Sequence, residues 1–305
     1  MNRFKKCVGD FRSHEINEHN FQNVTGNIPP YVKQCPNEEQ IRYAVCPACD
    51  NPIEIIGLYK NTLESGRQPY GRHHDGTILN LAEYDEAEYY DCPYSKPGKN
   101  NKTKYRRPES KISGQIYELL RMQFDRVIFL LGKSADMKIS NETAGRMLAE
   151  YLGDKGYCYR NATMHNLPWS FALAALPKKL FGRKIVRGSE FHKEMEVRCP
   201  DVRFDGEPNS KYVQLKYNGL HDAELFYNFY NLRQTHKTEG CDTEAITESI
   251  DFVAYRSRNS EGNVETAYKK TIRIEPEYFM NLVLLPDEKA KRNEQLLTIA
   301  NDLML

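Results

Sequence analysis

The spacing of apolar positions changes period near Pro177, and that change separates a helical stretch from a strand-rich one. From Ile112 to about Phe129 the residues Ile112, Ile116, Leu119, Leu120, Phe124, Val127 and Ile128 recur in steps of three and four, which predicts an amphipathic helix. The end of that run, Val127 to Leu131, can instead be read as a short buried strand. Ser140 is placed to cap a second helix running through Ala144, Met147, Leu148, Tyr151 and Leu152 and stopped by Gly153. A third, short helix is expected around Leu167 to Leu176, with Pro168 in its first turn.

After Pro177 the alternation has the period of a strand. Met195, Val197 and Cys199 alternate with charge, Val202 and Phe204 resume in the opposite phase after Pro200-Asp201, and Val213, Leu215 and Tyr217 alternate again. These predict strands with a bulge or turn at the proline. Leu220 to Leu232 reads as a helix through Ala223, Phe226, Tyr227 and Tyr230. Ile250 to Tyr255 reads as a strand, Asn259 to Asn263 as a turn and Val264 to Ile274 as its hairpin partner. The chain is expected to end, over Asp287 to Leu305, in an amphipathic helix, and residues 1 to about 45 look irregular.

The expected fold class is therefore α+β, or α/β, with a mixed sheet in the C-terminal half behind an N-terminal module. The expected divisions are a module over 1–95, a basic linker over 96–111, a helical middle segment over 112–180 and a C-terminal domain over 181–305. The linker carries Lys96, Lys99, Lys102, Lys104, Arg106 and Arg107, with Tyr94 and Tyr105 available for stacking on bases.

Composition narrows the class. The 43 Lys+Arg against 42 Asp+Glu leave no global field toward nucleic acid or membrane, so any nucleic-acid surface must be local. No run approaches the roughly 20 apolar residues of a bilayer span, and Met1 to Asp10 has no apolar stretch of a secretory signal. Scattered Cys7, Cys158, Cys199 and Cys241 do not suggest a disulfide framework, so a cytoplasmic setting is expected. The 20 tyrosines against one tryptophan suit half-buried boundaries or an interaction surface.

The strongest chemical signal is Cys46-Pro47-Ala48-Cys49, then His73-His74, then Cys92-Pro93. Zn²⁺ takes tetrahedral thiolate and imidazole ligands; a Cys-x2-Cys turn gives two, and a distant His and Cys complete the shell. The predicted set is Cys46, Cys49, His73 and Cys92, with His74 competing with His73 and Cys35 with His73 or Cys92. A redox pair, the other reading of Cys46 and Cys49, would sit at a helix start after a strand. Four protein ligands leave no open position, so this Zn²⁺ would be structural, stapling a segment with few apolar runs.

A second constellation is Pro200-Asp201, then Gln214-Leu215-Lys216. It resembles the signature of the PD-(D/E)xK nuclease superfamily in its Gln-x-Lys variant, over about residues 190–256. The resemblance implies a catalytic Mg²⁺ or Mn²⁺ held by Asp201 and Gln214, with Lys216 stabilising developing charge and Glu196 or Glu194 adding a carboxylate. Gln214 stands where the usual residue is acidic, and Glu150 is the one candidate for the superfamily's upstream helical glutamate. In that superfamily's order a helix and then a strand follow, matching the expected helix from Leu220. Leu131-Gly132-Lys133-Ser134 ends like a phosphate-binding loop but lacks its first glycine.

Two functional classes follow. One is a nucleic-acid-associated zinc protein, in its fullest form a metal-dependent nuclease of a restriction, repair or mobile-element system. The other is a non-catalytic factor, such as a phage modulator of a host nucleic-acid machine, that binds a protein partner through its tyrosine-rich surface. Neither has a membrane role.

Overall fold

The computed structural model describes residues 1–36, 40–59, 68–95, 103–219, 223–238, 244–258 and 264–304. Within them the fold is α+β, with helices and four mostly antiparallel sheets, and the chain divides into two compact units.

The first unit comprises residues 1–116, 158–164 and 234–247. Strands β1 (Arg3–Phe4) and β2 (His14–Glu15) pair, and helix α1 (Glu18–Thr25) follows, capped by the Asn17 side chain and ended at Gly26 in a left-handed conformation. A four-stranded antiparallel sheet then runs in the order β3 (Val32–Gln34), β4 (Gln40–Val45), β5 (Pro52–Ile56), β6 (Tyr70–His73). The start of the chain is thus regular where its pattern suggested otherwise. Its strands are only two to six residues long, too short to show a period. Helix α2 (Glu86–Asp91) follows, capped by Asp85.

Helix α3 (Lys111–Ser134) starts in this unit and settles the Val127–Leu131 ambiguity as helix, with one non-helical residue, Gln123. The basic segment ahead of it is not a plain solvated linker. Arg106 is 3% exposed and donates to the carbonyls of Tyr159, Arg160 and Ala162, beside a bridge between Tyr105 and Tyr159. Lys96, Lys99 and Lys102 lie outside the described residues.

The second unit comprises residues 117–157, 165–233 and 248–304 of those described. Its elements are β7 (Met137–Lys138), α4 (Asn141–Gly153), α5 (Leu167–Leu173), β8 (Lys178–Lys179), β9 (Lys184–Val186), α6 (Glu190–Arg198), β10 (Val202–Asp205), β11 (Tyr212–Tyr217), β12 (Ala223–Thr238), β13 (Glu244–Arg258), β14 (Val264–Ile274), α7 (Pro276–Val283) and α8 (Glu294–Leu303). The tips of β12 and β13 count with the first unit. One sheet runs β10-β11-β9-β7 and another β14-β13-β12-β8. Ser140 caps α4 through the Thr143 amide, and Pro168 sits in the first turn of α5, as the sequence predicts.

Two elements have the opposite type to that expected. Residues 190–198 form helix α6, not a strand. Ser189 caps it, Glu194 and Arg198 pair at one-turn spacing, and Phe191 and Met195 are buried while Val197 is 79% exposed. Met195 and Cys199 lie about one turn apart and are both buried, whereas Val197 between them is exposed, so the alternation carried no strand. Residues 223–238 form strand β12, not a helix: Leu225, Tyr227 and Phe229 are buried on one side, and aromatic residues suit a pleated surface. The helix that the nuclease order calls for after β11 is therefore replaced by a strand, and Leu220, His221 and Asp222 lie outside the described residues. Gly132 has a packing role on α3, since a Cβ there would meet the Met137 carbonyl at 2.8 Å.

Candidate metal centre

The knuckle is built between two strands. Lys5 and Val45 exchange backbone hydrogen bonds of 2.8 and 3.1 Å, fixing the end of β4, and Cys46 follows directly. The turn Pro47-Ala48-Cys49 reverses the chain, Asp50 takes the left-handed region at φ 60°, and the Cys46 amide donates to the Asn51 carbonyl at 2.8 Å before β5 begins. A strand rather than a helix follows the pair, which is the geometry of a metal knuckle and not of a redox motif. His73 ends β6 in register with Ile53 of β5, and Cys92 caps the C-terminus of α2.

The donor atoms of Cys46, Cys49, His73 and Cys92 all lie within 4.8 Å of one another. Cys46 Sγ is 3.7 Å from Cys92 Sγ, and Cys49 Sγ is 3.3 Å from His73 Nε2. A tetrahedral ion with metal–sulfur bonds of about 2.3 Å needs edges of about 3.8 Å, so the donors fit a single ion. All three cysteines are buried. His74 packs its ring edge-on against Tyr43, outside the cluster, and Cys35 is not part of it. The sequence left both choices open; the register of β5 with β6 decides the first.

The electrostatics also suit a cation. Burial opposes ionisation of Cys46, but hydrogen bonds from Cys49, Cys92 and His73 outweigh it and hold that thiol well below its usual range. Burial pushes the Cys49 and Cys92 thiols well above theirs, because a second and third negative charge have no compensation in the protein. A divalent ion would supply that compensation and take all three as thiolates.

A polar shell, which the sequence did not reveal, orients these ligands. Asn51 is 1% exposed; its Nδ2 donates to Cys49 Sγ at 3.4 Å and to the Asp85 carbonyl at 3.0 Å, and its Oδ1 accepts from the Asp85 amide. Asp85 caps α2, so one asparagine ties the knuckle to the helix that delivers Cys92. Cys92 Sγ accepts from the Tyr94 amide, and the His73 ring meets Tyr89 edge-on. Beneath the knuckle, Asp50 forms an ion pair with fully buried Lys5 and accepts from Gln115 Nε2 at 3.2 Å. Glu88, on the same helix as Asp91, accepts from Ser110 Oγ and the Lys111 amide, capping α3. Position immediately after a Cys-x2-Cys knuckle is the one signal that could have drawn attention to Asp50 and Asn51; Lys5 carries none.

The other predicted site residues are placed as follows. Gln214 and Lys216 share one face of β11, and Gln214 Nε2 donates to the Gly182 carbonyl at 2.9 Å. The residue opposite Gln214 on β10 is Asp205, which pairs with Lys216 at 3.3 Å. Asp201 lies in the turn before β10, four positions from that point, or about 13 Å along a strand, and forms an ion pair with Arg256. Glu196 is on helix α6, 3.6 Å from His192, and Glu194 pairs with Arg198. Glu150 is held by Lys178 Nζ at 2.6 Å. The structure thus brings Gln214 and Lys216 together with Asp205, and places Asp201 and Glu196 elsewhere. His165 and His192 are both buried.

No family model matches the chain, and no curated protein or solved structure does. No helix among the described residues is long and apolar enough to cross a membrane.

Proposed function

We propose that the chain is a nucleic-acid-associated zinc protein. Its Zn²⁺ would be structural, since three sulfurs and one imidazole nitrogen are the donor set that selects this ion and they leave no position for water. Cys46, Cys49, His73 and Cys92 hold it; the ion supplies folding free energy, and Asn51 and Asp85 keep α2 in place around it.

The observation that carries the nucleic-acid part is a cleft built on that same helix. Tyr90, Asp91, Thr103, Tyr105, Arg107 and Arg160 line an open volume of about 550 Å³ whose lining reaches the residue before Cys92. Arg160 bridges the Tyr90 and Thr103 carbonyls, Arg107 pairs with Asp91, and Lys104 lies 4.9 Å from the Tyr105 ring centroid. Cations beside tyrosine rings, here the exposed Tyr90 and the half-buried Tyr105, attract phosphates and offer faces for bases to stack on, and that chemistry does not depend on net charge over the whole chain.

The test is fluorescence anisotropy of labelled DNA and RNA with zinc-loaded protein, beside Tyr90→Ala and Lys104→Gln. Binding that weakens with salt and falls severalfold in each variant, at unchanged zinc content, is expected. Absence of binding to every nucleic acid at low salt overturns the reading and turns attention to a protein partner. Incubation of the same samples with Mg²⁺ or Mn²⁺ reports whether the chain also cuts, the role that the resemblance implied for Asp201, Gln214, Lys216 and Glu196 and that Gln214 and Lys216, beside Asp205, would carry here.

A further inference from the structure

The sheet β14-β13-β12-β8 has two unlike faces. On one side Tyr227, Phe229, Ile250, Phe252 and Ala254 are buried, and Phe252 meets Phe191 of α6 edge-on at 5.2 Å. The other side carries rings and cations. Phe226 stacks on Tyr255 with centroids 5.8 Å apart and planes 22° apart. Two residues along β12 from Asn228, Tyr230 is 39% exposed, and Lys269 Nζ lies 5.6 Å from its ring centroid. Arg233 and Lys269 have side chains 38% and 46% exposed, and Arg273 is exposed opposite Ser249.

One buried carboxylate organises this face. Asp251 is fully buried; its Oδ1 accepts from Thr271 Oγ1 at 2.7 Å and from Arg233 at 3.1 Å, and its Oδ2 accepts from Asn231 Nδ2 at 3.1 Å and pairs with Lys269 at 3.2 Å. Arg233 also donates to Ser249. Asn231 adopts φ 62°, which redirects β12 so that both Asn231 and Arg233 turn toward Asp251. The two long cationic side chains are therefore fixed beside the rings before any ligand arrives, which lowers the ordering cost of binding.

We propose that this face is a binding platform for single-stranded nucleic acid, with bases stacking on Tyr230 and the Phe226–Tyr255 pair and phosphates meeting Arg233, Lys269 and Arg273. Rings on one side of neighbouring strands can each take one base, and a duplex hides those base faces. Cations fixed next to rings favour a polyanion with flat, unpaired bases over a plain polyanion. The platform extends the nucleic-acid reading to the second unit, through residues that the cleft beside Cys92 does not use.

The deciding experiment is anisotropy with labelled oligo-dT and oligo-U, the same sequences as duplexes, and heparin as competitor. It compares the zinc-loaded full chain with Tyr230→Leu, Tyr230→Phe, Tyr255→Leu and Arg273→Gln. Single strands should bind more tightly than duplexes. Tyr230→Leu and Tyr255→Leu should each weaken single-strand binding about tenfold, Tyr230→Phe should bind as the parent does, and Arg273→Gln should flatten the salt slope by about one. Circular dichroism identifies any variant that fails to fold, and the exposed Arg273→Gln then carries the test. Equal affinity for duplex and single strand, or leucine variants that bind like the parent, overturn the platform. Loss in Tyr90→Ala with parental binding in the leucine variants leaves the cleft and removes the platform; the reverse pattern removes the cleft alone.

Discussion

The two units reach a stable interior by different means. The second relies on apolar volume: Trp169, Phe171, Phe124 and Tyr151 pack among α3, α4 and α5, and Phe191, Phe252 and Phe229 pack where α6 covers a sheet. The first has small hydrophobic clusters around Phe4, Phe21 and Ile53; it buries Lys5, Asn51, Glu88, Asp91 and Arg106, as the second buries Asp125, Arg126, Lys178 and Asp251, so the contrast lies in apolar volume. Short strands remove little apolar surface from water to offset chain entropy, so a metal held by the four clustered donors would supply in the first unit what volume does not. The lesson concerns fragility: the first unit depends on a few named atoms, whereas the second spreads its stability over many.

The largest expected effect tests that dependence. Structural Zn²⁺ contributes on the order of 10 kcal/mol or more to folding of small modules. Strong chelation, or Cys46→Ser, should abolish hydrogen-exchange protection in β4 to β6 while α5 and residues 250–254 of β13 keep theirs. Simultaneous loss in both units would show that the zinc centre supports the whole chain and would erase the contrast. Freshly purified protein should carry about one zinc per chain.

The Lys5–Asp50 pair comes next. Lys5→Ala leaves a carboxylate beneath the knuckle without its cation, and breaking a buried pair from one side costs about 3–5 kcal/mol. The first unit should melt earlier at saturating zinc. Lys5→Met, which keeps the volume, should still lose most of that stability because Asp50 retains its charge; an unchanged melting temperature would place the pair outside the fold's essential ties.

Acid should act on the second unit through two carboxylates. Burial alone would raise Asp251, but hydrogen bonds from Thr271, Asn231 and Lys269 and the charge of Arg233 outweigh it; at Asp125 burial is likewise outweighed, by Arg292 and the Asn293 amide. Both carboxyls therefore titrate below the ordinary value of 3.8. A depressed folded pKa means that the stabilisation is fully present above the unfolded pKa and is lost as pH falls through the folded one. The second unit should hold its stability down to about pH 4 and lose it below, and Asp251→Asn should flatten that slope in pH-dependent melts.

How much of this was legible in the sequence follows the same division. The clustering of Cys46, Cys49, His73 and Cys92 was legible because a Cys-x2-Cys knuckle with a distant His and Cys has the spacing that coordination geometry would impose. Helices α3 and α4 were legible because their amphipathic faces run over several turns and Ser140 caps the second, and the short α5 because Pro168 marks its first turn. Residues 190–198 and 223–238 were misread because each window supports two periods: Phe191 and Met195 fit a helix while Met195 and Val197 fit a strand, and Phe226 and Tyr230 mimic a helical step within a strand. Tertiary packing chose between them. The Asn51 and Asp85 tie was not legible, because 34 residues separate its ends and neither residue type is distinctive.

The smallest expected effect falls on the β10–β11 hairpin. Lys216 is 39% exposed at its side chain and meets Asp205 at 3.3 Å, an exposed pair of the kind worth about 1 kcal/mol or less. Lys216→Ala should therefore leave the melting of both units within about 0.5 kcal/mol of the parent. That near-silence makes it a clean probe of chemistry, unlike Asp201→Ala, which also strips Arg256 of its partner. If Mg²⁺- or Mn²⁺-dependent cleavage exists and vanishes in Lys216→Ala at unchanged stability, the hairpin is catalytic, and the second unit is more than an apolar scaffold bearing a binding face. If no cleavage occurs in parent or variant, the polar side of that hairpin is a solvated sheet surface, and the functional chemistry of the chain reduces to binding.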